Sequence, residues 1–265
     1  MSTHVTLAAA LTLHASDPAG TAGTPADLAV FAALGVRGLS VTTGIASWSG
    51  PSPGVLHELP TPAVRAQLAA LADAPRPAAA KAGFLGSTPV VRLVARELAR
   101  RGVPVVVDPV VFARRGLRAP AGPSWSAFVR ELLPAAVLVT ANLPEASLLA
   151  GFPIRGEADA KRAARAIQAH GPHAVLIKGG HAEGTAVVDG LLDGRTWRSF
   201  TAPRLGSRVA GAGEALSAAA AAFLARGETL PDAVEHALAF VHRAIADARS
   251  AGVEGLRLPR IPASM

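Results

Sequence analysis

Cysteine is missing altogether from these 265 residues, which removes disulfide bonds, thiolate nucleophiles and cysteine-ligated metals from consideration. No stretch approaches the ~18 consecutive apolar residues of a membrane span, and the alanine run from Ala218 to Ala222 is short and weakly hydrophobic. A basic leader is lacking too. Met1-Ser2-Thr3-His4 has no positive n-region, and Val5 to Leu13 reads as a buried strand rather than a signal segment. A soluble, cytoplasmic protein is expected. Lysine is scarce, with Lys81, Lys161 and Lys178 standing among many arginines. Where arginine is the default cation, a retained lysine hints at a place that wants a compact point charge, although Lys161 fits plain helix surface. The net charge of +7 is scattered, with no basic stripe interleaved with aromatics. Nucleic acid is therefore not an expected partner, whereas an anionic small molecule suits the balance.

What is present is an alternation. Apolar runs of strand length at Val5–Ala15, Gly38–Ile45, Ala78–Ala82, Val103–Val107, Ala136–Thr140 and Ala174–Lys178 are separated by segments of helical period. Thr24-Pro25 and Thr61-Pro62 supply cap and first-position signals, Ser87 caps a third helix, and Trp125–Leu133 reads as a further helix. Asp193-Gly194 is a two-residue hairpin signal with φ > 0 at both positions. This pattern predicts a single α/β domain over 1–265, its central, mostly parallel β-sheet covered by helices on both faces. Ligands of such sheets sit beyond the carboxyl ends of the strands. Asp17, Trp48, Lys81, Asp108, Asn142, Glu145 and Lys178 all fall at or near those ends. The histidines His14, His170, His173, His181, His236 and His242 show no metal-ligand spacing and suit surface or packing positions, His181 excepted because it follows a strand.

The stretch Val209-Ala210-Gly211-Ala212-Gly213-Glu214 runs into a long alanine-rich helix. A glycine-spaced helix N-terminus offers unpaired amides and partial positive charge to a phosphate, and Glu214 is then placed to take a proton from an attacking hydroxyl. An ordinary loop with a glutamate in the first helical turn fits the same residues. Asn142 and Glu145, three apart on a strand-to-helix turn, suit a hard, partly hydrated cation and equally a helix cap.

Taken together the strand ends resemble the hydroxymethylpyrimidine/phosphomethylpyrimidine kinases of thiamine biosynthesis, within the ribokinase superfamily. The resemblance spans nearly the whole chain. It is carried by Ser16-Asp17-Pro18 with Gly20, Ala22-Gly23 and Ala26-Asp27-Leu28, by Leu34-Gly35, by Lys81-Ala82-Gly83, and by Asp108-Pro109-Val110. Further on, Asn142-Leu143-Pro144-Glu145, Lys178-Gly179-Gly180-His181, and Gly211-Ala212-Gly213 with Leu216-Ser217-Ala218-Ala219 complete it. It implies a ribokinase-like fold, a homodimer, and ATP-dependent phosphorylation of a hydroxymethyl group with Mg²⁺ held, largely through water, by Asn142 and Glu145. It also implies that Lys178, Asp108 and Gly180 serve the nucleotide, that Gly211, Ala212, Gly213 and Glu214 form the catalytic turn, and that Ala15, Asp17, Ala22, Asp27, Trp48, Lys81, Phe84 and Val110 surround the heterocycle. Asp27 fits a surface position of the first helix as well.

Four departures from the family pattern stand out. Glu214 occupies the place where this family usually has cysteine and the wider superfamily aspartate. Relative to aspartate, its extra methylene displaces the carboxylate by about 1.5 Å, and misplacement by about 1 Å can cost on the order of a hundredfold in rate. Trp48 stands where glutamine or glutamate usually binds the aminopyrimidine, and it can stack but cannot offer an acceptor. Gly206–Ala210 lacks the usual Thr/Asn/His-rich approach, and Arg114-Arg115-Gly116 replaces Lys-Ser-Gly. The alternatives to a pyrimidine kinase are accordingly a pyridoxal-type kinase, or a weakened relative that binds a nucleotide or heterocycle without turnover.

Overall fold

The computed structural model describes residues 7–47, 55–110, 123–181, 184–206, 209 and 211–250. Trp48, Arg114–Gly116 and much of the approach to the glycine turn lie outside the described residues. Nine strands form one sheet in the order β3-β2-β1-β4-β5-β6-β7-β8-β9. Their ranges are β1 Ala9–Ser16, β2 Arg37–Ser47, β3 Val55–Glu58, β4 Ala79–Ala82, β5 Val105–Val107, β6 Leu138–Asn142, β7 Ala174–Lys178, β8 Ala186–Asp193 and β9 Thr196–Pro203. From β2 through β7 neighbouring strands are parallel. Antiparallel pairing begins at β3 on one side and at β8 on the other.

Side-chain alternation divides the core. Leu11, Leu13, Ala80, Ala82, Val105, Val107, Val139 and Ile177 face one layer, which holds α2 (Thr61–Ala70), α3 (Thr88–Arg101), α5 (Leu143–Ala150) and α6 (Glu157–Gln168). Ala10, Ala79, Val106, Leu138 and Leu176 face the other, made by α1 (Gly23–Ala33), α7 (Ala212–Ala225) and α8 (Leu230–Ser250). The fold is the doubly covered α/β sheet that the alternation predicts. Strand order reverses at β1, whose connections lead to β2 on one side and whose other neighbour is β4. Such a reversal opens a crevice at the carboxyl ends of the two strands.

Several local expectations are corrected. The hairpin pairs Asp193 with Thr196, so its two-residue loop is Gly194-Arg195, one position later than expected, with Gly194 at φ 56°. Thr24 does not cap α1. Ala22 is the cap residue, and the Thr24 hydroxyl instead donates to the carbonyl of His14, tying helix to strand. Pro60, not Thr61, precedes α2, and Ser87 precedes α3 without a side-chain cap bond. The expected helix over 125–133 is a short α4 (Pro123–Ala127) that widens into a π turn (Phe128–Leu132) and tightens into a 3₁₀ turn (Leu133–Ala135). Pro134 lacks an N–H and enforces the final break.

The alanine run that looked unpromising as hydrophobic sequence is the centre of the α7 layer. Ala218, Ala219, Ala220, Ala221 and Ala222 are all essentially inaccessible, because methyl-sized side chains let α7 lie close between the sheet, α1 and α8. Enlarging this seam should therefore hurt more than its hydrophobicity would help. Ala220→Leu is expected to destabilise the protein by about 1–3 kcal/mol through overpacking, measured by chemical denaturation; an unchanged midpoint would mean that the helix has room to move.

Candidate active site

Polar residues replace apolar ones at the same alternation phase near the end of each central strand. Thr12 and His14 on β1, Lys81 on β4 and Lys178 on β7, with Asp108 just beyond β5, all occur in phase with Ala10, Ala79, Leu176 and Val106, whose side chains face α1 and α7. The result is a buried charged layer beneath the first turn of α7.

It is organised as two lysine–aspartate pairs. Lys81 contacts Asp27 of α1, both without solvent exposure, and the Thr12 hydroxyl donates to the other Asp27 oxygen. Burial works against the Lys81 ammonium, but Asp27, Glu214 and Asp108 outweigh it and hold its pKa above the ordinary lysine value. Burial likewise pushes the Asp27 carboxyl upward, while Lys81 pulls it back. In the second pair Lys178 donates to Asp108 at 3.1 Å, and Ser217 of α7 donates to the other Asp108 oxygen at 2.8 Å. Burial would raise the Asp108 carboxyl, yet Lys178, Lys81 and the Ser217 hydroxyl hold it below its usual value. The Lys178 ammonium, disfavoured by burial, is kept charged by Asp108 and Glu145.

The first pair reaches the start of α7 directly and the second through Ser217. The main-chain carbonyl of Glu214 lies 3.3 Å from Lys81 Nζ and 2.9 Å from the Ser217 hydroxyl. Gly211 caps α7 in the left-handed region at φ 82°, and a Cβ there would fall 2.3 Å from the Thr21 carbonyl. The next amides, of Ala212, Gly213 and Glu214, begin the helix and have no intrahelical acceptor. Lys178 Nζ lies 3.3 Å from where a Gly213 Cβ would sit. The glycine turn, Lys178 and Asp108 thus form one group, with Glu145 3.9 Å from Lys178.

Asn142 and Glu145 make a reciprocal capping box: Asn142 Oδ1 accepts from the Glu145 amide and Glu145 Oε2 from the Asn142 amide. The cap reading is therefore present in the structure, and it leaves Glu145 Oε1 without a hydrogen bond among the described residues. Burial pushes the Glu145 carboxyl up to about 7, with Lys178 opposing and Asp108 adding to the rise. A buried carboxyl beside a lysine is a donor that a hydrated cation would stabilise as the anion. No cluster of three or more acidic or histidine groups suited to direct metal ligation occurs among the described residues.

On the other side of the turn, Asp17 accepts from the amides of Ala19 and Thr21 and from the Thr21 hydroxyl. Its oxygens organise the loop from β1 to α1. Asp27 is neither a surface residue nor open to a ligand, since both its oxygens are taken inside the protein. Ala15 is buried, whereas Ala22, Phe84, Val110, Asn142 and Gly180 are half-buried along the rim. The Gly180 carbonyl accepts from Arg204. Glu214 points back across the turn, where its carboxylate accepts the amide of Gly23 at the start of α1. Sequence reasoning passed over Thr12 and His14 as members of this layer; their signal was two polar residues at spacing two inside an apolar strand.

The sequence model of the phosphomethylpyrimidine kinase family matches residues 17–257. The chain belongs to this family. A hydroxymethylpyrimidine/phosphomethylpyrimidine kinase of Streptomyces coelicolor is 41% identical over 236 residues, covering 89% of this chain and 87% of that relative. Among solved structures, the phosphomethylpyrimidine kinase of Clostridium difficile superposes with TM-score 0.78 at 30% identity, over 89% of this chain and 99% of the other. An ADP complex of Bacillus subtilis pyridoxal kinase superposes with TM-score 0.88 at 29% identity, over 98% and 100%. Membership of the phosphomethylpyrimidine kinase family makes this chain a kinase-type phosphotransferase with a ribokinase-like fold, and no helix among the described residues is long and apolar enough to cross a membrane.

Glu145 supplies a pH test of this site. Its native pKa of about 7 exceeds the ordinary 4.5, so the native state binds the proton more tightly than the unfolded chain. That contribution to stability is complete below about pH 4.5 and lost as the pH rises through about 7. Glu145→Gln, neutral throughout and still able to accept the Asn142 amide, should raise Tm at pH 8 and leave it near wild type at pH 5. Equal Tm values at pH 8 would show that ionised Glu145 is not strained.

Proposed function

We propose that the protein transfers the γ-phosphoryl group of ATP to the hydroxymethyl group of hydroxymethylpyrimidine or of its monophosphate, as in thiamine biosynthesis. The observation that carries this reading is the placement of the Lys178 ammonium beside the amides of Ala212, Gly213 and Glu214, which have no intrahelical acceptor. Fixed amide dipoles and a buried cation are what a transferring phosphoryl group needs, because positioning and electrostatics carry most of its catalysis. Lys178, supported by Asp108 and with Gly180 at the rim, holds the nucleotide phosphates. Glu145 with Asn142 would hold a hydrated Mg²⁺, which would supply neutralisation of triphosphate charge. The heterocycle sits over Ala15, Ala22, Phe84 and Val110, while Asp17, Asp27 and Lys81 shape that floor from behind. Glu214 takes the hydroxyl proton.

Pyridoxal is the second substrate to consider, favoured by the close superposition on a pyridoxal kinase. A homodimer, acting in the cytoplasm where ATP is available, accompanies the proposal and is open to light scattering.

The test is a steady-state assay with Mg·ATP and, separately, hydroxymethylpyrimidine, its monophosphate and pyridoxal. Turnover of the pyrimidines is expected, with Glu214→Gln lowering kcat roughly a hundredfold and Lys178→Met by a similar order. Turnover of pyridoxal alone moves the assignment to the second substrate. Silence with all three, accompanied by calorimetric binding of nucleotide, would replace the kinase with a non-catalytic binder.

A further inference from the structure

His14 is buried at 3% exposure, and neither of its ring nitrogens makes a hydrogen bond to any described residue. Buried polar groups are almost always partnered, so an unpaired imidazole calls for a reason. Its neighbour in phase on β1, Thr12, has its partner in Asp27. The His14 ring is pressed against the backbone of Gly83, where a Cβ would fall 2.0 Å from Cδ2 and 2.3 Å from Nε2. The ring therefore has little freedom to turn toward another partner.

One group stands in line with it. Glu214 Oε2 lies 3.7 Å from His14 Nε2, and the same oxygen accepts the Gly23 amide. A closure of about 1 Å would turn the first contact into a hydrogen bond. Asp27 from α1 also acts on His14, and it is paired with Lys81. From β2 the register partner of His14 is the uncharged Thr42. Glu214 adds to the field at Lys81 and Lys178, but among the described residues its carboxylate forms an ion-pair contact with His14 and none with a lysine.

We propose that His14 is the positioning residue for Glu214: its Nε2–H and the Gly23 amide together grip Oε2, fixing the longer glutamate side chain and leaving Oε1 to take the proton of the substrate hydroxyl. This rests on the base role proposed above. In the step, the substrate O–H bond breaks and its proton passes to Glu214 Oε1. The substrate oxygen bonds to the γ-phosphorus as the bond from that phosphorus to the bridging oxygen breaks, and ADP departs. His14 keeps its own proton throughout. The arrangement answers the misplacement that a bare Asp-to-Glu change would introduce, since the carboxylate is anchored from two sides rather than left on a flexible arm.

Two measurements test it. The first needs no turnover: the ring nitrogen and N–H resonances of His14 are compared by NMR in the wild-type protein and in Glu214→Gln. A proton on Nε2 whose resonance moves when the facing carboxylate is removed is expected, and an Nε2 without a proton, or a resonance that does not move, overturns the contact. The second is kinetic, with hydroxymethylpyrimidine and Mg·ATP. His14→Gln, which keeps an N–H donor near the Nε2 position, retains most of kcat. His14→Leu, similar in bulk but without a donor, loses roughly tenfold in kcat at constant KM for both substrates and loses nothing further in the Glu214→Gln background. Equal losses in the Gln and Leu variants, or losses that add to Glu214→Gln, make His14 a packing residue and overturn the proposal. If His14→Leu does not fold, the Gln variant and the ring resonances decide between the two roles. Absence of turnover in the wild-type protein removes the base role and the positioning role with it, while the ring resonances still report the contact, so the two failures are distinguishable.

Discussion

The two buried ion pairs come together around the carbonyl oxygen of Glu214: Lys81 reaches it from one side, and the Ser217 hydroxyl, whose single proton has Asp108 and this carbonyl as its acceptors, lies against it from the other. Buried ion pairs contribute little net stability, because desolvation offsets their attraction. Removing one partner is another matter and costs about 3–5 kcal/mol, since a charge is left alone in the interior. The pairs Asp27–Lys81 and Asp108–Lys178 are therefore best understood as devices for register. They fix the height of the first turn of α7 above the sheet, and with it the amides that the proposed chemistry uses.

That geometry explains why the chain places its scarce lysines as it does. Lys81 and Lys178 are buried, whereas Lys161 sits on the surface beside Glu157. A compact ammonium on a straight stem can stand upright between sheet and helix and reach a single oxygen, a task for which a planar guanidinium is too broad. The small residues of α7 complement this. A helix lined with larger side chains would stand further from β4 and β5, beyond the reach of Lys81.

The parallel sheet, its two helical layers and the gathering of polar residues at strand ends were legible in the sequence, because burial on both faces forces long apolar strands and leaves polar residues conspicuous at their tips. Family resemblance added the order of the motifs. What could not be read was which polar atoms face a ligand and which face each other. Asp17 and Asp27 resemble ligand-binding carboxylates in sequence, but the structure gives all their oxygens to Thr21, Thr12, Lys81 and local amides. Cap positions slipped for a similar reason: Thr24 has the right chemistry to cap α1, but a nearby strand carbonyl claims its hydroxyl. The hairpin turn moved by one residue because Gly194, at φ 56°, takes the first loop position rather than the second. Tertiary competition of this kind leaves no periodic trace.

The meeting of Gly211 with the Thr21 carbonyl joins the phosphate-side turn to the loop that follows β1 at one main-chain contact, with no side chain between them. Chimeras that exchange either loop between relatives would need to carry the other with it, since a single inserted residue on one side would drive backbone into backbone. Libraries built on the proposed function are better confined to Phe84 and Val110, half-buried residues that the proposal sets around the heterocycle and that lie outside this seam.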